Sequence, residues 1–325
     1  MLTKIDYKKI TTNYPWIVKE NQKMVLSPDS DGLLCGLFMS YYLNWEVAGF
    51  YDGKVLLLKK GLSAQDCVFL DMEIFRKNIR SLGHHMVLYD KNNLPPNWSN
   101  FKNCIQPNNI RNYDIAHNFP LKYPFGSIHF LLGILGSQQE IKIQKSTICP
   151  LLYTNGVFKN LLNFPENCLS WISFLGGDKE KSPLYQIFYN KYYLVSDLML
   201  SLRDFFNELS KIKEGRGKAD KLKISNPQGE LVNLIKQQQQ RGYAVNSDER
   251  DKIEQFLKLL SSLVKWDYKK DKWNWELLEA YKFSKGNIRP SRGRYTTLID
   301  KNPLSLAMTS TLIIEYTLEG PDKLP

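Results

Sequence analysis

Two aspartates two residues apart are the first candidates for chemistry in this chain. Asp29 and Asp31 follow the short apolar run Met24 to Leu26, which predicts a strand. Gly32 and an apolar segment that predicts a helix, Leu33 to Leu43, come next. The positive end of a helix tolerates acidic side chains, but two carboxylates this close still repel each other. A bound cation would relieve that repulsion, so the pattern predicts a cation site at the turn.

A third carboxylate and a histidine pair extend this set. Cys67 to Leu70 is a short apolar run typical of a buried strand in a parallel sheet, and it ends on Asp71. His84 and His85 are adjacent in a chain with only four histidines. Ligands of open parallel sheets bind at the carboxyl ends of the strands, so these side chains are expected at one edge. Carboxylate and imidazole together suit Mn²⁺ or Mg²⁺, and a pair of such ions can clamp a phosphate and activate water.

The elements needed to position these residues alternate between strand and helix, which predicts βαβ units and a parallel sheet. Val47 to Tyr51 and Val55 to Leu58 are predicted as further strands or as a hairpin about the Asp52-Gly53 turn. Strands are also predicted at Met86 to Tyr89 and Thr311 to Tyr316. Further helices are predicted at Met72 to Ser81, Ile128 to Leu135, Leu161 to Leu175, Leu194 to Ile212, Leu231 to Arg241 and Asp248 to Leu263. A change of character near residue 185 predicts two domains, 1–185 and a smaller, helical then β-rich α+β domain, 186–325.

Composition limits the partners. The formal net charge of +11 favours polyanions such as nucleic acid. The five cysteines are scattered without a C-x-x-C pair, so we expect neither a disulfide framework nor a zinc ribbon, and a reducing cytoplasm fits. The N-terminal residues lack an apolar signal core and no apolar run is long enough to span a bilayer, so no membrane is expected. Homo-oligomerisation stays open.

The order of these elements resembles the DHH phosphoesterase superfamily over roughly residues 24–185. That family includes RecJ-like single-strand exonucleases, oligonucleotide and cyclic-dinucleotide phosphodiesterases, and inorganic pyrophosphatases. Its first motif, a strand followed by Asp-x-Asp-Gly, is similar to Asp29-Ser30-Asp31-Gly32, and its second is similar to Asp71. Its Asp-His-His motif is similar to Gly83-His84-His85, and its fourth is similar to Gly176-Gly177-Asp178 followed by Pro183-Leu184.

The chain departs from the family pattern at two positions. Val25 stands where the family often has a histidine, and Gly83 stands at the aspartate of the third motif. The family motif also follows a strand, whereas the histidine pair precedes the predicted strand Met86 to Tyr89. A second register therefore stays open, in which Asp90 alone fills the third motif and the histidines have no role.

The resemblance implies a metal-dependent phosphodiesterase, with Mn²⁺ or Mg²⁺ activating water for attack on a phosphodiester. It implies metal ligands at Asp29, Asp31, Asp71, His85 and Asp178, and catalytic roles for Asp31, His84 and His85. We expect a nuclease, in particular an exonuclease, acting on single-stranded nucleic acid. The alternatives are a phosphodiesterase of oligo- or cyclic nucleotides, and a degenerate, non-catalytic scaffold that binds nucleic acid or a partner.

Substrate contacts are expected from two basic, glycine-containing segments of the second part. Backbone amides and guanidinium groups suit phosphate, and a tyrosine can stack on a base. The candidate substrate-binding residues are Arg216, Lys218, Arg289, Arg292, Arg294 and Tyr295.

Overall fold

The structure is a computed structural model that describes residues 4–214, 219–237 and 242–325. Its strands are β1 Lys23–Leu26, β2 Glu46–Tyr51, β3 Val55–Lys59, β4 Cys67–Leu70, β5 Arg80–Leu82, β6 Cys104–Ile105, β7 Leu234–Gln237, β8 Gly242–Val245, β9 Leu278–Ile288, β10 Ser305–Ser310 and β11 Ile313–Glu319. Its α-helices are α1 Tyr7–Asn13, α2 Ser30–Leu43, α3 Pro107–Ile110, α4 Ile115–Asn118, α5 Ser127–Gly136, α6 Lys145–Tyr153, α7 Val157–Asn163, α8 Pro165–Phe174, α9 Pro183–Phe188, α10 Val195–Ile212, α11 Ser247–Val264 and α12 Arg292–Asp300. Arg216 and Lys218 lie outside the described residues.

One mixed sheet organises the fold, with the strand order β10-β11-β9-β3-β2-β1-β4-β5-β6. The run from β2 through β1, β4 and β5 to β6 is parallel. The run from β2 through β3, β9 and β11 to β10 is antiparallel. The carboxyl ends of β1, β4, β5 and β6 therefore lie along the same edge, as parallel pairing requires.

The structure confirms the sequence predictions for β1, α2, β4, α5, α10 and α11, and for the hairpin of β2 and β3. Two neighbouring predictions are wrong: residues 72–79 form no helix, and residues 86–89 form no strand. The predicted helix at 161–175 is interrupted at Phe164-Pro165, because proline removes a backbone donor, and it becomes α7 and α8. The predicted helix at 231–241 is also wrong, since its described part contains β7, which pairs with β8.

The main core lies between the sheet and the helices packed on it, α2 and α5 first among them. Parallel strands are buried on both faces, and β1 shows this: Met24 and Leu26 face the main core, while Val25 faces a second cluster on the other side. Along α2 nearly every residue is buried, so this helix crosses the interior and fixes the position of the turn before it.

The structure confirms a mixed α/β fold. The sheet is continuous across the predicted boundary near residue 185, because β3 pairs along its whole length with residues 278–282 of β9. The finer division into a parallel-sheet domain and a smaller α+β domain stays a prediction. All five cysteines are buried and unpaired, as expected. Among the described helices, none has both the length and the apolar character needed to cross a membrane.

Candidate metal centre

The turn between β1 and α2 is built by Asp29 and Gly32. Asp29 is the N-cap of α2, and its carboxylate accepts hydrogen bonds from the backbone N–H of Asp31 at 3.1 Å and of Gly32 at 3.2 Å. A Cβ atom at Gly32 would lie 2.1 Å from the carbonyl oxygen of Ser27. The glycine of this motif is therefore required by the close return of the backbone over the strand end.

Asp31 is completely buried and lies at the N-terminus of α5. Its carboxylate oxygens accept from the backbone N–H of Ser127 at 2.7 Å and of Ile128 at 3.1 Å, and from Asn155 Nδ2 at 2.6 Å. These donors and the positive helix end stabilise an anion there. Burial and the nearby charge of Asp71 nevertheless raise the pKa of Asp31 well above its usual range.

Asp71 directly follows β4 and has left-handed backbone geometry, with φ of 64°. Ser127 Oγ donates to its carboxylate at 2.8 Å, and His84 Nδ1 lies 3.2 Å from the same oxygen and 3.8 Å from Asp31 Oδ2. Burial and the charge of Asp29 raise the pKa of Asp71 to about 8. Burial and the charge of His85 lower the pKa of His84 to about 4, so its imidazole is neutral and able to ligate.

The structure thus brings together Asp31, Asp71 and His84, each with a ligand atom within 4.8 Å of the others. Of this group, Asp71 lines a cavity of about 200 Å³ together with Asp29, Glu73 and His85, whereas Asp31 and His84 lie behind its wall and do not line it. Lys221 and Lys285 line its other side, along with residues of β10 and β11. The cavity therefore has acidic groups at the ends of the parallel strands, and Lys285 in its wall is paired at 2.6 Å with Glu315, which lines the same cavity.

The histidine pair follows β5, as the family motif requires, because β5 ends at Leu82. A Cβ atom at Gly83 would lie only 2.5 Å from Glu73 Cδ. The buried Glu73 carboxylate occupies the space that a third-motif aspartate would need, and its Oε2 lies 3.0 Å from His85 Nδ1. Burial lowers the pKa of His85, but the charge and hydrogen bond of Glu73 and the charge of Asp71 together outweigh burial and raise the pKa to about 9. A carboxylate from another position therefore stands beside the histidine pair.

Asp90 belongs to a second acidic group, with Asp114 and His117, whose ligand atoms also lie within 4.8 Å of one another. The oxygens of Asp90 accept from Asn92 N, Asn93 Nδ2 and Arg292 Nη2, and these bonds hold its pKa below the usual range. Asp114 is the N-cap of α4. Turn and cap bonds and the ion pair with Arg292 therefore account for this group, whereas the first group joins residues that follow three strand ends.

Asp178 is not part of either group. Its carboxylate is partly exposed and accepts from Lys4 Nζ at 2.7 and 2.9 Å. Of the predicted substrate-binding residues, Arg292 is paired with Asp90, and Arg289 and Arg294 are exposed. The ring of Tyr295 is buried and its hydroxyl donates to the carbonyl of Val87, so it cannot stack on a base in this structure.

Sequence reasoning missed Glu73, Ser127 and Asn155. Gly126-Ser127 opens a predicted helix, which is a weak signal for a capping position. Nothing in the local sequence marks Glu73 or Asn155, since their roles depend on contacts made by the folded chain.

The donor set fits a divalent cation. Carboxylate oxygen and neutral imidazole are ligands that Mn²⁺ and Mg²⁺ accept. Glu73 Oε1 is buried without a hydrogen-bond partner, and the charge of Asp29 adds to burial in raising the pKa of both Asp31 and Asp71. Both features indicate that the negative charge of these carboxylates is not fully compensated by neighbouring groups, as expected at a cation site. No family model, curated protein or solved structure matches the chain.

Proposed function

We propose that the protein is a metal-dependent phosphodiesterase that cleaves single-stranded nucleic acid. The observation that carries the proposal is the convergence of Asp31, Asp71 and His84 within 4.8 Å at the carboxyl edge of the parallel strands. The order of these residues resembles that of the DHH phosphoesterases, and their position is where open α/β sheets bind ligands.

The proposed ligands of Mn²⁺ or Mg²⁺ are Asp31, Asp71 and His84, and Asp29 lines the cavity that Asp71 also lines. The ion would act as a Lewis acid on the phosphate and lower the pKa of a water molecule. His85 is protonated at neutral pH because of Glu73, so it can bind a phosphate oxygen or give a proton to the leaving oxygen. Ser127 orients both Asp71 and His84 through its hydroxyl.

Two features support a single strand as substrate. The net charge of +11 favours a polyanion, and Lys221 on the cavity wall would attract a phosphodiester. A cavity of about 200 Å³ accepts one phosphate with its sugar, whereas a rigid duplex could not bring its backbone into it. Oligo- and cyclic nucleotides would enter the same cavity and remain the close variant of this proposal.

A second candidate is a non-catalytic scaffold. Three N–H groups already satisfy Asp31, Gly83 lacks the carboxylate of the family motif, and Asp178 is engaged by Lys4. A chain that uses its acidic residues only to hold α5 against the sheet would show these bonds.

Substitution of Asp71 by asparagine separates the two candidates. Asparagine tolerates the left-handed conformation at this position and is nearly isosteric, so Asp71→Asn should fold, whereas Asp31→Ala would also remove the cap of α5. We expect wild type to take up Mn²⁺, measured by calorimetry, and to cleave a labelled single strand. Asp71→Asn should lose both, with cleavage reduced about 100-fold or more.

Asp204→Asn is the matched control, because Asp204 is exposed on α10 and, within the described part of the chain, is paired with its neighbour Arg203. It should keep wild-type uptake and cleavage. A folded wild-type protein that takes up no metal and cleaves neither strands nor small nucleotides would overturn the enzyme proposal in favour of the scaffold.

A further inference from the structure

A second, larger cavity of about 650 Å³ lies between α1 and the segment that follows β6. Among the described residues, it has no lining residue in common with the cavity at Asp71. Its volume is within the range of small-molecule sites, roughly 300 to 1,000 Å³. We call it the Arg111 cavity and define it by Lys9, Trp98, Lys102, Gln106, Asn109 and Arg111.

Arg111 is held in place but is not satisfied. Its guanidinium carbon lies 4.9, 4.5 and 4.8 Å from the ring centres of Tyr113, Trp171 and Phe174. Nη2 donates to Ser170 Oγ at 2.8 Å, while Nη1 is buried without a partner. Three aromatic rings therefore fix a cation that still has a hydrogen bond to give.

Gln106 and Asn109 add two further unpaired atoms. Gln106 is 1% exposed, and its Oε1 accepts from Asn109 N at 2.8 Å, which fixes the amide. Gln106 Nε2 and Asn109 Oδ1 are both buried without a partner. Folded proteins pair nearly all such atoms, and the exceptions usually mark an ordered water, an ion or a ligand. Arg111 Nη1 and Gln106 Nε2 are unpaired donors, and Asn109 Oδ1 is an unpaired acceptor. All three residues line the Arg111 cavity, which indicates a polar ligand.

The charge of the lining indicates an anion. Lys9, Lys102 and Arg111 line the cavity with only one carboxylate, that of Asp6, while Lys4 in the same lining is already paired with Asp178. Asp6 is itself occupied as the N-cap of α1. Guanidinium and ammonium groups of this kind bind phosphate well.

Aromatic side chains complete the lining. Trp98 and Tyr14 both line the cavity and are half-buried. A half-buried ring offers a face for a second ring, and stacking of a base on an aromatic side chain contributes about 1–3 kcal/mol in nucleic-acid complexes. A cavity with groups for a phosphate and an aromatic face for a planar ring has the features of a nucleotide-binding site.

We propose that the Arg111 cavity binds a free nucleoside monophosphate. Its phosphate contacts Arg111, Gln106 and Lys102, its ring lies against Trp98, and Asn109 Oδ1 accepts from a hydroxyl or amino group. The site does not depend on the proposed phosphodiesterase activity and lies outside its cavity.

Titration of the full chain with adenosine 5′-monophosphate tests the site. Binding is measured by calorimetry, in buffer that contains EDTA to remove divalent metal ions. We expect the nucleotide to bind, and adenosine and inorganic phosphate alone to bind at least about tenfold more weakly, because each makes only part of the contacts. Loss of binding on removal of metal would place the nucleotide in the metal cavity and overturn the proposal. Failure to bind at millimolar concentration would also overturn it.

Gln106→Glu is the informative variant. It keeps the oxygen that accepts from Asn109 N, so the segment should fold, but it replaces the unpaired donor by a negative oxygen facing the phosphate. Affinity should fall at least about tenfold. Lys258→Gln, on the exposed face of α11, is the charge control and should bind like wild type.

Two further results would overturn the proposal. Wild-type affinity in a folded Gln106→Glu variant would show that the unpaired amide is not part of a site. Binding of a 5′-phosphorylated oligonucleotide without binding of the mononucleotide would assign the cavity to a strand end rather than to a free nucleotide.

Discussion

The contact between Gly83 and Glu73 allows a quantitative test of how the histidine pair is supported. A Cβ atom at residue 83 would lie 2.5 Å from Glu73 Cδ and 2.7 and 2.9 Å from its oxygens. Carbon atoms in contact are separated by about 3.5 Å or more, so Gly83→Ala must push the carboxylate back by about 1 Å. That shift would also weaken the bond of 3.0 Å between Glu73 and His85.

Overpacking of a buried site costs about 1–3 kcal/mol, while alanine reduces the entropy of the unfolded chain and offsets about 0.4–1 kcal/mol of that. We therefore expect Gly83→Ala to lower the free energy of unfolding of the metal-free protein by about 1–2 kcal/mol. Urea denaturation measures this value, and the same experiment on Glu73→Ala and on the double variant completes a double-mutant cycle.

The cycle contains its own control. Once Glu73 is truncated, the space beside residue 83 is open, so Gly83→Ala should then cost nothing or stabilise slightly. An equal loss in both backgrounds would show that the alanine acts elsewhere, and the inference that Glu73 fills the place of the missing aspartate would be wrong.

Two more predictions concern the site glycine and a core histidine. Gly32→Ala should lower the free energy of unfolding by about 3 kcal/mol, since its Cβ meets backbone, whereas Gly293→Ala in exposed α12 meets nothing and should stabilise by up to about 1 kcal/mol in urea denaturation. His129 is buried, and burial lowers its pKa to about 3. The unfolded chain therefore takes up this proton first, and stability should fall as the pH drops from about 6.5 towards 3, by up to about 1.4 kcal/mol per pH unit. His129→Gln should remove this part of the pH dependence, and His117→Gln, at an exposed position, should retain it; identical acid profiles for the two variants would contradict the assignment.

The local pattern of apolar and turn residues was sufficient to predict elements that form from a single short segment of sequence. Short apolar runs bounded by turn residues predicted β1 and β4, and the Asp52-Gly53 turn predicted the hairpin of β2 and β3. Because β1 and β4 are parallel, the expectation that the aspartates following them meet at one sheet edge needed no further information.

The segment between β4 and the histidines shows why pattern failed elsewhere. Ile74, Phe75 and Ile79 have helical spacing, yet adjacent Ile74 and Phe75 pack into different clusters on opposite sides of an extended chain. The backbone N–H of Ile74 is satisfied by Ser81 Oγ at 3.2 Å, a partner that helical spacing does not reveal. Because a helix was predicted over these residues, β5 was not predicted, although it is the strand that precedes the histidine pair.

The site itself depends on contacts between distant parts of the chain. Ser127 and Asn155 meet Asp31 across 96 and 124 residues of sequence. Residue types at Asp29, Asp31 and Asp71 suggested a cation, but which groups satisfy, orient or neutralise them is decided by how α5 and its neighbours pack. Asp178 fits the sequence pattern of the family, but in the structure it pairs with Lys4 and does not line the cavity.

The pairing of β3 with β9 has a consequence for how this chain is made. Val55 pairs with Lys282, so one side of the apolar strand β3 has no partner until the 227 residues from Val55 to Lys282 (282 − 55) have been added. At about 5–20 residues per second, the ribosome needs roughly 10 to 45 s to cover that interval. An open apolar strand edge is a template for aggregation during this time. We therefore expect the free edge of β3 to need protection from aggregation until β9 has been synthesised. A chain ending at residue 185 would lack β9 and would keep this edge unpaired.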